Sequence, residues 1–68
     1  SLENIQDYDF MVNFFMNKQN RWNLSFYSDK ENIDVSKIAA EFGGGGHLHA
    51  AGASNLPELP AFLRRKHD

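Results

Sequence analysis

Residues 42–52 read Phe-Gly-Gly-Gly-Gly-His-Leu-His-Ala-Ala-Gly and hold all five glycines of the chain, the first four consecutive. Glycine has no Cβ, so such a run adopts positive φ and lets its backbone approach another group closely. Successive amides in such a turn can line a concave anion site, and an imidazole at its edge adds a ring donor. The chemistry suited to this spacing is the holding of a phosphate. Gly43, Gly44, Gly45 and Gly46 would supply amides, and His47 would hydrogen-bond an oxygen or stabilise developing charge. A plain connector after a helix would account for the glycines, but not for the small residues Ala50, Ala51 and Gly52 beyond them.

His49 follows two residues after His47. On a strand the two rings would share a face, which raises a zinc option. Zinc takes three or four ligands, the chain has no cysteine, and no carboxylates obviously converge on the pair. No metal is assigned to the chain, and His49 is read as a rim residue of the phosphate loop. Phosphodiester hydrolysis at neutral pH commonly uses water activated by one or two metal ions. Here Asp7, Asp9, Asp29, Asp34 and Asp68 are dispersed and no Asp-His-His triplet occurs. No catalytic residue and no cofactor is assigned to the chain.

Gly43–Gly46, His47 and Ala50-Ala51-Gly52 resemble the GGGH-x-x-AAG signature of the small C-terminal domain that accompanies DHH-family phosphoesterases of the oligoribonuclease or bisphosphate-nucleotide phosphatase type. Leu24-Ser25-Phe26-Tyr27-Ser28 sits where that family has a strand ending in Ser-Leu-Arg-Ser, and Asp34-Val35-Ser36-Lys37-Ile38-Ala39 where it has a short helix. The resemblance implies a partner DHH domain on the same polypeptide, which carries the Asp-His-His triplet and manganese ions. It also implies a short single-stranded oligonucleotide or a nucleoside phosphate as substrate. The parent would be a manganese-dependent phosphodiesterase or phosphatase, and cutting from a chain end is a family trait. Tyr27 is a departure. Arginine would grip phosphate with a planar fork, whereas tyrosine has one hydroxyl and a ring able to stack on a base. An ordinary strand tyrosine is the other reading. The alternative to the phosphoesterase is a non-catalytic nucleic-acid-binding module such as the appended domain of an alanyl-tRNA synthetase, a relative that usually lacks the histidine after the glycines.

The chain has 68 residues, enough for one small domain, and a formal net charge of −2, which argues against a general polyanion binder. The absence of cysteine fits a reducing cytoplasm, and no apolar stretch approaches the roughly 20 residues of a membrane span. It opens at Ser1 without an initiator methionine, as a fragment of a longer protein would. Residues 1–7 read as linker or fragment edge, and residues 8–68 as the substrate-binding domain.

The elements that must position the loop follow from periodicity. Phe10, Val12, Phe14 and Met16 alternate along one strand, and Trp22, Leu24 and Phe26 along a second. The polar turn Asn17–Asn20 joins them as a hairpin, and these aromatics are expected in the core rather than on a stacking platform. Asp34 is an N-cap candidate, and Val35, Ile38, Ala39 and Phe42 form one helical face ended by Gly43 at C′. A strand is expected at about residues 51–54. A final short helix is expected around Leu59, Phe62 and Leu63, started by Pro57 or Pro60, with Arg64, Arg65 and Lys66 at its solvated end. The fold class is α+β: a small antiparallel or mixed sheet built on a hairpin, with two short helices.

Overall fold

A computed structural model describes residues 9–65. The expected linker at residues 1–7 and Lys66 lie outside that range. Strand β1 (Met11–Met16) and strand β2 (Trp22–Tyr27) form the hairpin in unbroken register, from Met11 opposite Tyr27 to Met16 opposite Trp22. Its turn is organised by Asn17. The Asn17 Oδ1 accepts from the Gln19 and Arg21 amides, its Nδ2 donates to Asn23 and Asn55, and Asn20 takes φ 61°.

Helix α1 (Val35–Ala40) begins at Asp34, whose Oδ1 accepts from the Ser36 amide at 3.0 Å and from the Ser36 hydroxyl. After it come a two-residue strand β3 (Gly45–Gly46) and strand β4 (Ala50–Leu56). The sheet is antiparallel throughout, in the order β1-β2-β4-β3. A bulge between Trp22 and Leu24 interrupts the β2–β4 pairing. It lies beside Asn55, another residue with positive φ.

Alternation decides the two faces, because residues directly opposite in an antiparallel pair project to the same side. Leu24 and Phe26 pack with Val35 and Ala39 of α1 as the buried core, with Phe10, Val12, Ile38 and Phe42 against it. Phe26 and Phe42 stack with centroids 6.2 Å apart. The core reading of the aromatics holds for Phe26 and, half-buried against it, for Phe10. Phe14 is 43% exposed, and half-buried Trp22 packs beside it, ring centroids 6.1 Å apart, outside the core cluster.

The expected second helix is a single 3₁₀ turn (Ala61–Leu63) with Pro60 as its cap. Leu59 and Leu63 pack it against the core, the Phe62 ring lies 6.0 Å from that of Phe42, and Arg64 donates to the Leu59 carbonyl and to Glu58. No described helix is long and apolar enough to cross a membrane.

Candidate functional site

The glycine run opens as the end of α1. Gly43 has φ 80°, the left-handed conformation that closes a helix. The Gly43 amide donates to the Ala40 carbonyl at 3.0 Å and the Gly44 amide to the Ala39 carbonyl at 2.9 Å. These are the two bonds of a Schellman closure. They correct the expectation that all four glycine amides turn together toward an anion, because the first two satisfy helix carbonyls. The physical reason is that a helix end leaves carbonyls without partners, and the residues immediately after it are the nearest donors.

Gly44 and Gly46 are small for packing. A Cβ on Gly44 would lie 2.0 Å from the Gly52 oxygen, and one on Gly46 would lie 2.6 Å from Ala51 Cα. Gly52 in turn sits against the Leu24 carbonyl, with 2.8 Å between that oxygen and an added Cβ. The Ala50-Ala51-Gly52 tract therefore lets β3 lie tightly along β4, and β4 along β2. Gly45 has nothing within 4 Å of an added Cβ.

Past Gly46 the chain makes a tight hairpin. The His47 amide donates to the Ala50 carbonyl at 2.8 Å, and the Ala50 amide returns to His47 at 3.3 Å, enclosing Leu48 and His49. In antiparallel pairing hydrogen-bonded and non-hydrogen-bonded pairs alternate. His47–Ala50 is of the first kind, so Gly46–Ala51 is of the second and Gly45–Gly52 of the first. The Gly46 amide consequently points away from β4, at the open edge of the sheet.

The hairpin tip is anchored on both sides. The Val35 amide donates to the Leu48 carbonyl at 3.0 Å and the Ser28 amide to the His49 carbonyl at 3.1 Å. His49 Nδ1 lies 2.8 Å from the Ser28 carbonyl. A carbonyl only accepts, so this nitrogen carries the proton and Nε2 is left as an acceptor in the neutral ring. His47 and His49 do not share a strand face, because residues 47–49 belong to the turn.

Tyr27 ends β2 directly opposite Ala50, which is itself paired with His47. Tyr27, Ala50 and His47 thus form one row across three chain segments, on the face away from α1. Strand spacing of about 4.8 Å puts Tyr27 and His47 about 10 Å apart, with only a methyl group between them. His47, Leu48 and His49 are exposed and Tyr27 is half-exposed. Ser28 is buried, donating to the Asp9 carbonyl at 2.6 Å and accepting from the Lys30 amide, so its hydroxyl belongs to the scaffold. Among the described residues no three His, Cys, Asp or Glu side chains converge in a way that would hold a metal ion. They also enclose no pocket. The site is one open wall. Sequence reasoning missed β3 and the outward Gly46 amide. The available signal was the two-residue gap between Gly-Gly-His and Ala-Ala-Gly, the length of a tight hairpin loop.

Comparison with known proteins gives a family model, the DHHA1 domain, matching residues 1–66. No curated protein and no solved structure matches.

Proposed function

The chain belongs to the DHHA1 domain family, the DHH-associated domain of DHH-family phosphoesterases, and from that membership we infer that its Gly45–His49 hairpin tip holds the phosphate of a substrate bound against a DHH catalytic domain. The observation that carries the reading is the row Tyr27–Ala50–His47 on a face that no described element covers, next to the outward Gly46 amide. The His47 ring and that amide would donate to phosphate oxygens. Tyr27, across the gap left by Ala50, would stack on a base or donate its hydroxyl to a second phosphate. Gly43 and Gly44 would contribute close approach rather than donors, and the free Nε2 of His49 would accept from a sugar or base.

On this reading the chain holds the substrate, and bond breaking would take place on the DHH domain. Activation of water by manganese would belong to the DHH domain, and this domain would orient the substrate and exclude solvent. A short single-stranded oligonucleotide or a nucleoside phosphate matches a small open wall on a chain of net charge −2.

The test is an NMR titration of the chain with a 5′-phosphorylated RNA dinucleotide, together with His47→Ala in the full-length parent. The amides of Gly45, Gly46 and His47 should shift first, with Tyr27 following. The His47 ring has no partner among the described residues, so the fold should survive its removal while kcat/KM falls about 10²-fold. Shifts confined to Arg64 and Arg65, or unchanged kinetics, would remove the hairpin from the site.

A further inference from the structure

Two histidines flank Leu48 at the hairpin tip, and the fold treats them differently. The His47 ring has no partner among the described residues. His49 is fixed twice. Its carbonyl accepts from the Ser28 amide at 3.1 Å, and its ring Nδ1 lies 2.8 Å from the Ser28 carbonyl. These two bonds carry the β2–β4 ladder one pair beyond Tyr27–Ala50, with the ring nitrogen in the place of the second strand amide. Ser28 is a firm anchor. It is 4% exposed, and its hydroxyl donates to the Asp9 carbonyl at 2.6 Å and accepts from the Lys30 amide at 3.2 Å.

The anchorage dictates what the exposed side of the His49 ring can do. Nδ1 gives its proton to a carbonyl, so Nε2 of the neutral ring accepts and does not donate. A phosphate oxygen of a diester also only accepts, and it carries negative charge, so it is no partner for Nε2. Turning the ring to offer a donor would break the 2.8 Å bond to Ser28. The group that meets His49 in a complex must therefore be a donor. With phosphate at His47 and a base at Tyr27, the sugar falls between them. The Ser28–His49 pair stands one position along from Tyr27–Ala50, about 3.4 Å away. In a nucleotide linked onward through its 3′ oxygen, the 2′-hydroxyl is the free donor of the ribose, and DNA lacks it.

We propose that His49 is a specificity-determining residue of the hairpin tip, its Nε2 accepting from the ribose 2′-hydroxyl of the bound oligonucleotide, so that the site takes RNA in preference to DNA. The proposal rests on the phosphate reading of the tip and adds the class of sugar to it. His47 recognises what RNA and DNA share, and His49 recognises what separates them. The double bond to Ser28 orients the acceptor before the ligand arrives, so little freedom is lost on binding.

The test compares the full-length parent on two 5′-phosphorylated dinucleotides that differ only in the 2′-hydroxyls. The RNA form should be favoured about five- to tenfold in kcat/KM, the range of one hydrogen bond at an exposed site. In His49→Asn the side-chain amide keeps a donor for the Ser28 carbonyl and removes Nε2. It should bring the ratio to about one, the loss falling on the RNA form, with an unchanged amide spectrum. His47→Ala should slow both forms and leave the ratio in place. In the isolated chain, long-range ¹H–¹⁵N correlation should find the His49 proton on Nδ1. Equal rates of the parent on the two forms, or a proton on Nε2, would overturn the proposal. A preference that survives His49→Asn while His47→Ala slows both forms would overturn it and leave the phosphate reading standing. Indifference to both substitutions would remove both.

Discussion

Gly44 and Gly45 are adjacent and chemically identical, yet the fold gives them opposite tolerances. At Gly44 an added methyl meets the Gly52 oxygen at 2.0 Å, a backbone atom that moves only if β4 moves. Gly44→Ala should cost more than about 2 kcal/mol, as overpacking against rigid neighbours does. In a domain this small that is a large share of total stability. Gly45→Ala meets nothing and has no positive φ. It should be neutral or stabilise by up to about 1 kcal/mol through the unfolded chain. Urea denaturation of the two variants measures the difference, and equal midpoints would contradict the packing. Gly43 is a third case, with open space but φ 80°; Gly43→Ala should cost about 1–2 kcal/mol from backbone conformation alone. The four glycines were legible in the sequence as one feature. Their division into cap, spacer and free edge was not, because it depends on β4, which the glycines approach only after the chain has turned.

At the scale of elements, α1 is too short to persist by itself, since isolated helices below about 12 residues are marginal in water. Its two ends are therefore decisive. The Asp34 carboxylate is held below its ordinary 3.8, first by the Ser36 hydroxyl, then by the Ser36 amide and Lys37. A pKa lowered on folding adds stability above the unfolded value, and that contribution is lost as pH falls through the folded one. Asp34→Ala should lower the melting temperature by a constant amount above about pH 5, and the gap to the parent chain should close as pH falls below 3.8. A gap independent of pH would mean that the carboxylate is not the capping group. The cap, the helical face and the first hairpin were readable because each is a local pattern of residue types. Strand β3 was not. Two glycines carry no periodicity, and they become a strand only because β4 supplies partners.

The whole molecule is a sheet with one covered face, 33 × 31 × 18 Å in extent. Its thin dimension is that of two layers, and the second face, with Tyr27 and the hairpin tip, is left without cover by any described element. On the proposed reading a surface of this shape would complete a cleft with a DHH domain. The purified chain should accordingly show no manganese-dependent hydrolysis of a dinucleotide, and robust turnover in a colorimetric phosphate assay would contradict that division of labour. The sequence by itself determined the family, the α+β class, the alternation that builds the core, the helix and its cap, and the histidine that marks the loop. All of these are set by residue type and by spacing along the chain. Only the tertiary structure decided which glycine amides the fold itself uses, that His49 is anchored on Ser28, and that Tyr27 and His47 share a row. These depend on strand register and on competition among carbonyls for the nearest donors. Such contacts join residues distant in sequence, and no local pattern encodes them.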